Sequence, residues 1–305
     1  MRPFTRRHAL ALPALAAFRR LARAIPLDRV RLGVTTDEID EDLLTAIRFL
    51  REFGLKHAEL RSVWGKYNTA QPIEKIREAR TLLDEHQIRT SVLGTAFFKI
   101  PLPPDTPEGR RTLDAQWTLL DGALERAAIL GTDTLRVFAF TYEGGKPDPA
   151  AYPRIEELLR EAARRAKPRH MKLAIENVEK SYVATAPEAA RFFKAVPDDT
   201  LGLTWDPNNA AASGEPHPFP DGFRLLDPAR IFHVHLRDYK HEPDGKVAWA
   251  PVGGGEFDNL GQIRALLKSG YRHAFTLETH WKSPQGKAFA SRTSLTGLLK
   301  VFAQV

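Results

Sequence analysis

AAILGTDTLRV, residues 127–137, reads as the last turn of a helix, a glycine at 131, and a short lead into an apolar strand. Glycine suits the left-handed position that follows a helix, where any side chain would be strained. The same pattern recurs in DEDLLTAIRFLREFG, residues 40–54, where Leu43, Leu44, Ile47, Leu50 and Phe53 share one helical face before Gly54. It recurs again in LLKSGYRHAFTL, residues 266–277, around Gly270. Repeated helix-to-strand joints argue for serial βα units. Working outward, apolar strand-like segments fall near 30–35, 57–61, 89–94, 133–138, 171–176, 201–206, 231–236 and 273–278, most of them separated by amphipathic stretches. Eight such units predict an α/β fold with one (β/α)8 TIM barrel over about residues 27–305; a doubly wound open sheet is the competing arrangement.

The chain has 305 residues, against about 250 for an ordinary barrel, and 43% are apolar, enough for one filled interior and its coat of helices. Cysteine is absent, which excludes disulfides and thiolate metal sites. No run of 18 apolar residues predicts a membrane span. The net charge of +7 is concentrated at one end: residues 1–24 hold six arginines and no acid, and without them 39 basic residues face 38 acidic ones. A nearly neutral body argues against nucleic acid as a partner. Within residues 1–24, Arg6-Arg7 precedes the apolar run ALALPALAAF, and Ala22-Arg23-Ala24 has the form of a cleavage site. That layout predicts a twin-arginine signal peptide and an exported, periplasmic protein, the alternative being an uncleaved amphipathic helix on a cytoplasmic protein.

Four of the strands end in groups that can hold a cation: Glu176 after LAI, Asp206 after LGLTW, His235 in IFHVH and Glu278 after FTL. Barrel closure brings strand ends together at one rim, although these residues lie far apart in sequence. Three carboxylates and one imidazole suit a single divalent ion, Mn2+, Mg2+ or Co2+ in preference, with Zn2+ as the alternative. His233 shares the inward face with His235 and reads as an interior hydrogen-bonded histidine. Around this set, Glu59, Trp64, Arg136, Asn209, Asp238 and His280 are the candidate substrate-binding residues. Arg61 shares the face of Glu59, Trp64 follows in the loop, and Arg136 lies on the fourth strand. Gly253-Gly254-Gly255 reads either as a phosphate-binding turn or as a plain loop before a helix capped by Asp258.

The motifs GVTTDEI, HAELRSVWGKYN, LAIENV, TWDPNNA, HVHLRDY, PVGGGEFD and TLETH, in that order, resemble the sugar phosphate isomerase/epimerase family of the xylose-isomerase-like barrel superfamily, over about residues 30–300. The resemblance implies one divalent metal on Glu176, Asp206, His235 and Glu278, with Glu176 and Glu278 doubling as the acid/base pair. It implies a small sugar or keto-sugar substrate, isomerised or epimerised through a metal-stabilised enediolate. Related ketose 3-epimerases carry a histidine three residues after the aspartate, where this chain has Asn209. Loss of a β-substituent from the same enediolate gives the alternative, a lyase or hydrolase of keto-sugar glycosides. An endonuclease-IV-like phosphodiesterase and a non-catalytic sugar-binding protein are the remaining readings.

Overall fold

The computed structural model describes residues 30–305; the expected leader lies outside them. Eight parallel strands close into a barrel: β1 (Arg31–Thr35), β2 (His57–Leu60), β5 (Arg89–Gly94), β6 (Thr134–Val137), β7 (Lys172–Glu176), β8 (Leu201–Trp205), β9 (Ile231–Leu236) and β12 (Ala274–Leu277). β1 pairs with both β2 and β12, which closes the ring. Two antiparallel hairpins stand on the loops, β3 (Ser62–Val63) with β4 (Lys66–Tyr67), and β10 (Asp238–His241) with β11 (Val247–Ala250). The helices are α1 (Leu43–Glu52), α2 (Ile73–Glu85), α3 (Pro107–Leu130), α4 (Tyr152–Ala166), α5 (Ala186–Ala195), α6 (Pro207–Ala212), α7 (Asn259–Lys268) and α8 (Lys287–Phe302). All eight expected strands form, and Gly54, Gly131 and Gly270 each take positive φ, as the helix-to-strand joints require. No helix among the described residues is long and apolar enough to cross a membrane.

Helix starts are set by side chains that accept otherwise unpaired amides. Asp42 caps α1 through Thr45 N at 2.9 Å, Thr106 caps α3 ahead of Pro107, and Asp258 caps α7 through Gly261 N at 2.8 Å. Alternation along the strands divides the core. Leu60, Leu93, Leu135, Val137, Leu173, Ile175, Val234, Leu236, Phe275 and Leu277 are buried in the apolar layer beneath the helices. The positions between them carry Glu59, Arg136, Glu176, His233, His235 and Thr276, all buried too. A TIM barrel interior is ordinarily filled by branched apolar side chains. Here it is lined with charge, and buried charge must be paired or coordinated.

Candidate metal centre

Glu176, Asp206, His235 and Glu278 converge at the carboxyl ends of β7, β8, β9 and β12, each offering one ligand atom within 4.8 Å of the others. The strand order β7-β8-β9-β12 puts the two glutamates on the outside of the set, with Asp206 and His235 between them. His235 Nδ1 faces all three carboxylates, 3.1 Å from Glu176 Oε1, 3.3 Å from Glu278 Oε2 and 3.7 Å from Asp206 Oδ2.

Asp206 divides its two oxygens. Oδ1 accepts the amides of Asn208 and Asn209, both at 2.9 Å, and so caps α6; Oδ2 is left for the centre. Asn177 fixes this turn by accepting from Asp206 N at 2.8 Å and donating to Asp206 O at 2.7 Å. Asn209 donates to Asn177 O at 2.9 Å and reaches Glu176 Oε1 at 3.4 Å, so it touches the ligand set from the side.

Glu59 is placed differently from the sequence expectation. Its carboxylate is fully buried and takes His235 Nε2 and His233 Nε2 on the same oxygen, Oε2, each at 2.9 Å. It therefore stands behind His235 rather than at a substrate. Burial opposes its charge, but the two histidines hold its carboxyl well below the usual range. A carboxylate on Nε2 requires the proton there and presents the Nδ1 lone pair to a cation, which is how outer carboxylates orient metal-ligating histidines. Burial disfavours the His235 imidazolium, yet Glu59, Glu278 and Glu176 raise its pKa well above the ordinary value, so a cation bound at Nδ1 would displace a proton and bind more tightly as pH rises. Substituting Glu59→Gln is expected to weaken divalent-metal affinity by about 10- to 100-fold, read by equilibrium dialysis at fixed pH. An unchanged affinity would remove Glu59 from this role.

Three arginines complete the centre. Arg136 Nη1 donates to Glu176 Oε2 at 2.8 Å, and Arg61 Nη1 donates to Glu278 Oε1 at 2.7 Å while its Nη2 holds Asp37 and Glu38. Arg237 donates from Nε to Asp206 Oδ2 at 2.8 Å and from Nη2 to Glu278 Oε2 at 2.7 Å; its Nη2 also meets Asp206 Oδ2. Gly94 leaves room for this packing, since a Cβ there would stand 3.1 Å from Arg136 Nη2 and from Arg61 Cβ. Lys99 Nζ lies 4.7 Å over the Phe138 ring at the mouth, with no carboxylate within salt-bridge distance among the described residues. Burial lowers its pKa, partly opposed by Glu176 and Glu278. Counting charges with neutral histidines, the carboxylates Glu59, Glu176, Asp206, Glu278, Asp37 and Glu38 face Arg61, Arg136, Arg237 and Lys99. The excess is two negative charges, which one divalent cation balances. Donor type, convergence and charge all fit such an ion.

Other expected positions are redirected by backbone geometry. Trp64 has φ of 49° and takes its ring to Lys75 of α2, 4.9 Å from the centroid, and to Asp42. The aromatic group beside the centre is Trp249 of β11, 4.8 Å from the Arg237 guanidinium and 5.9 Å from the His280 ring. His280 lies at the mouth, with Nε2 3.6 Å from Glu278 Oε1 and 3.5 Å from Glu38 Oε1. Asp238, expected at the substrate, accepts the amides of Tyr239, Gly253, Gly255 and Phe257 at 2.9 to 3.1 Å. It pins the glycine loop and consumes the amides of Gly253 and Gly255 that a phosphate would need. Arg237 and Lys99 were not among the expected residues. Alternation from His233 through His235 to Arg237 carried the signal for the first; no sequence period reaches the second.

The structure resembles several solved barrels. An IOLI protein with a bound zinc atom shares 19% identity over 90% of this chain and 99% of that one, with a TM-score of 0.73. A xylose isomerase-like protein from Mycobacterium smegmatis in complex with magnesium shares 20% over 93% and 98%, with a TM-score of 0.67. The 3-keto-D-glucoside 4-epimerase of E. coli shares 16% over 89% and 98%, also at 0.67. Among characterised sequences, the mannonate dehydratase of Saccharophagus degradans is 34% identical over 102 residues, a match that spans 33% of this chain and only 25% of the dehydratase. The profile of the xylose isomerase-like TIM barrel family matches residues 47–298, most of the described fold, and the chain belongs to that family.

Proposed function

We propose that this barrel is a divalent-metal-dependent sugar isomerase or epimerase in which Glu176 and Glu278 exchange a proton with a substrate carbon. The observation that carries the reading is their placement on either side of Asp206 and His235, with Oε1 of one and Oε2 of the other both turned to His235 Nδ1. A substrate seated on the ligand set would have one carboxylate on each side, the arrangement that removes a proton from one face and returns it to the other. A divalent cation on Glu176, Asp206, His235 and Glu278 would supply Lewis-acid stabilisation of the oxyanion that grows as the proton leaves.

The protein's own groups set the proton inventory. Burial pushes the Glu176 carboxyl up, but Arg136 and His235 outweigh it and hold the pKa at about 2. Glu278 is likewise held well below the usual carboxylate range, against its burial, by His280, Arg237 and His235. Both are ionised at neutral pH, so each begins as a base. The one on the returning side must first acquire a proton. Lys99, whose ammonium gives up its proton more readily than an ordinary lysine, is the nearby group that can supply it and later be reprotonated from the carboxyl formed on the other side. Trp249 offers a half-buried aromatic face beside His280 for a sugar ring. The same Lys99 ammonium also serves a second reading, elimination from a keto-sugar glycoside, where a donor must protonate the departing oxygen.

A panel of ketoses, keto-sugars and their glycosides, incubated with metal-loaded protein in deuterated water, tests both readings. Isomerisation or epimerisation is expected to place one deuterium at a substrate carbon with the skeleton intact, and elimination to split the substrate mass. No exchange with any substrate or metal would count decisively against a proton-transfer enzyme.

A further inference from the structure

We propose a second ligand site, for a small oxyanion of the phosphate class, at the amino-terminal end of the barrel, opposite the metal centre. A cavity of about 590 Å³ opens there, lined by Arg31, His57, Arg89 and His273 together with Thr90, and Lys172 stands behind it, over the Phe232 ring and near enough to His273 to act on its charge. These cations come from the starts of β1, β5 and β7, so the closure of the barrel gathers them. Neither Arg31 nor Arg89 has a carboxylate within salt-bridge distance among the described residues, and Lys172 has only the Phe232 ring, at 5.1 Å.

Two carboxylates stand on the cavity wall, and Asp133 partly offsets the cations through His273. Asp84 is paired with Arg80 at 2.6 Å, and Asp133 accepts the Thr134 hydroxyl at 2.8 Å.

A second, independent observation comes from Thr90. This residue lines the cavity and is 94% buried, since 6% remains exposed, and its hydroxyl has no hydrogen-bond partner, unlike the neighbouring Ser91, Thr132 and Thr134 hydroxyls, which bond within the protein. A buried hydroxyl left unpaired is costly, and an oxyanion would accept from it. The crowding is also felt by the histidines. Burial, then Arg31, Arg89 and Lys56, push the His57 pKa down to about 4, and burial and Lys172 lower that of His273. An anion among these groups would ease the repulsion between Arg31, Arg89 and the His57 imidazolium.

The test uses the full chain. Thermal unfolding and calorimetric titration are run with inorganic phosphate, and separately with glucose 6-phosphate, against sodium chloride of equal ionic strength. Stabilisation beyond the chloride control is expected. The exposed pair Arg31→Gln/Arg89→Gln should weaken binding at least tenfold, and the isosteric Thr90→Val about three- to tenfold, with both variants melting in chloride like the parent. Binding of phosphate itself identifies a free ion as the ligand; binding of the sugar phosphate alone, lost in the same variants, identifies a phosphorylated metabolite. No stabilisation beyond chloride by either compound, or equal binding by parent and variants, overturns the site.

Discussion

Replacing Glu278 by glutamine is expected to cut turnover by about 10³- to 10⁴-fold and to lower stability by about 3 kcal/mol. The two effects have different origins. Turnover falls because one of the two carboxylates flanking His235 Nδ1 no longer takes a proton, whatever the substrate. Stability falls because Glu278 is the partner of both Arg61 and Arg237, each at 2.7 Å, in a site where the carboxylate is 1% exposed. An amide of the same shape takes one carboxylate from the buried Arg237, which keeps Asp206, and one from the part-buried Arg61, which keeps Asp37 and Glu38. Glu278→Asp separates the contributions: it keeps the charge and most of the stability but withdraws the oxygen from its place, so turnover should still fall sharply. Urea unfolding and turnover on the substrate found by the deuterium screen read the two effects. Glutamine at 278 with turnover within tenfold of the parent would remove Glu278 from the acid/base pair.

Why the sequence revealed Glu278 and not its partners follows from what a strand period can carry. Alternation tells which residues face inward, and a strand's end tells which of them reach the rim; Glu176, Asp206, His235 and Glu278 satisfy both conditions. Depth along the barrel axis is another matter. It depends on how each strand is staggered against its neighbours, which is a property of the closed sheet. Glu59 faces inward as its alternation implies, but the stagger of β2 against its neighbours sets it level with His233 and His235, below the substrate rim.

Arg237 had the right period and the wrong charge: a cation is not sought beside a cation site until the number of carboxylates there is known. Loop residues lie further out of reach. Trp64 is turned away by a positive φ, Asp238 is claimed by four amides of a loop whose path no periodicity encodes, and Lys99 follows Phe98, itself at φ of 60°. Each outcome depends on local backbone conformation.

Arg237 provides the sharper test of the cation hypothesis, because it sits on the same oxygens. Asp206 Oδ1 is spent on the cap of α6, so Oδ2 alone is free, and Arg237 donates to it from Nε and Nη2 while also holding Glu278 Oε2. The guanidinium is 2% exposed and lies against Trp249, so methionine can replace its volume and keep that packing while removing the charge. In the presence of chelator, Arg237→Met is expected to lose about 3–5 kcal/mol, the usual cost of breaking a buried ion pair from one side. Saturating Mn2+ or Mg2+ should return much of it, since a ligand at 100 times its Kd stabilises by about 2.7 kcal/mol and the variant carries no competing cation. The parent, whose Arg237 competes with the ion for Asp206 Oδ2 and Glu278 Oε2, should gain less from it. Unfolding curves with chelator and with metal, for parent and variant, give all four values. A stability gap that stays the same when metal is added would mean that the guanidinium and the ion do not act on the same carboxylates, and the four-residue set would lose its claim to the cation.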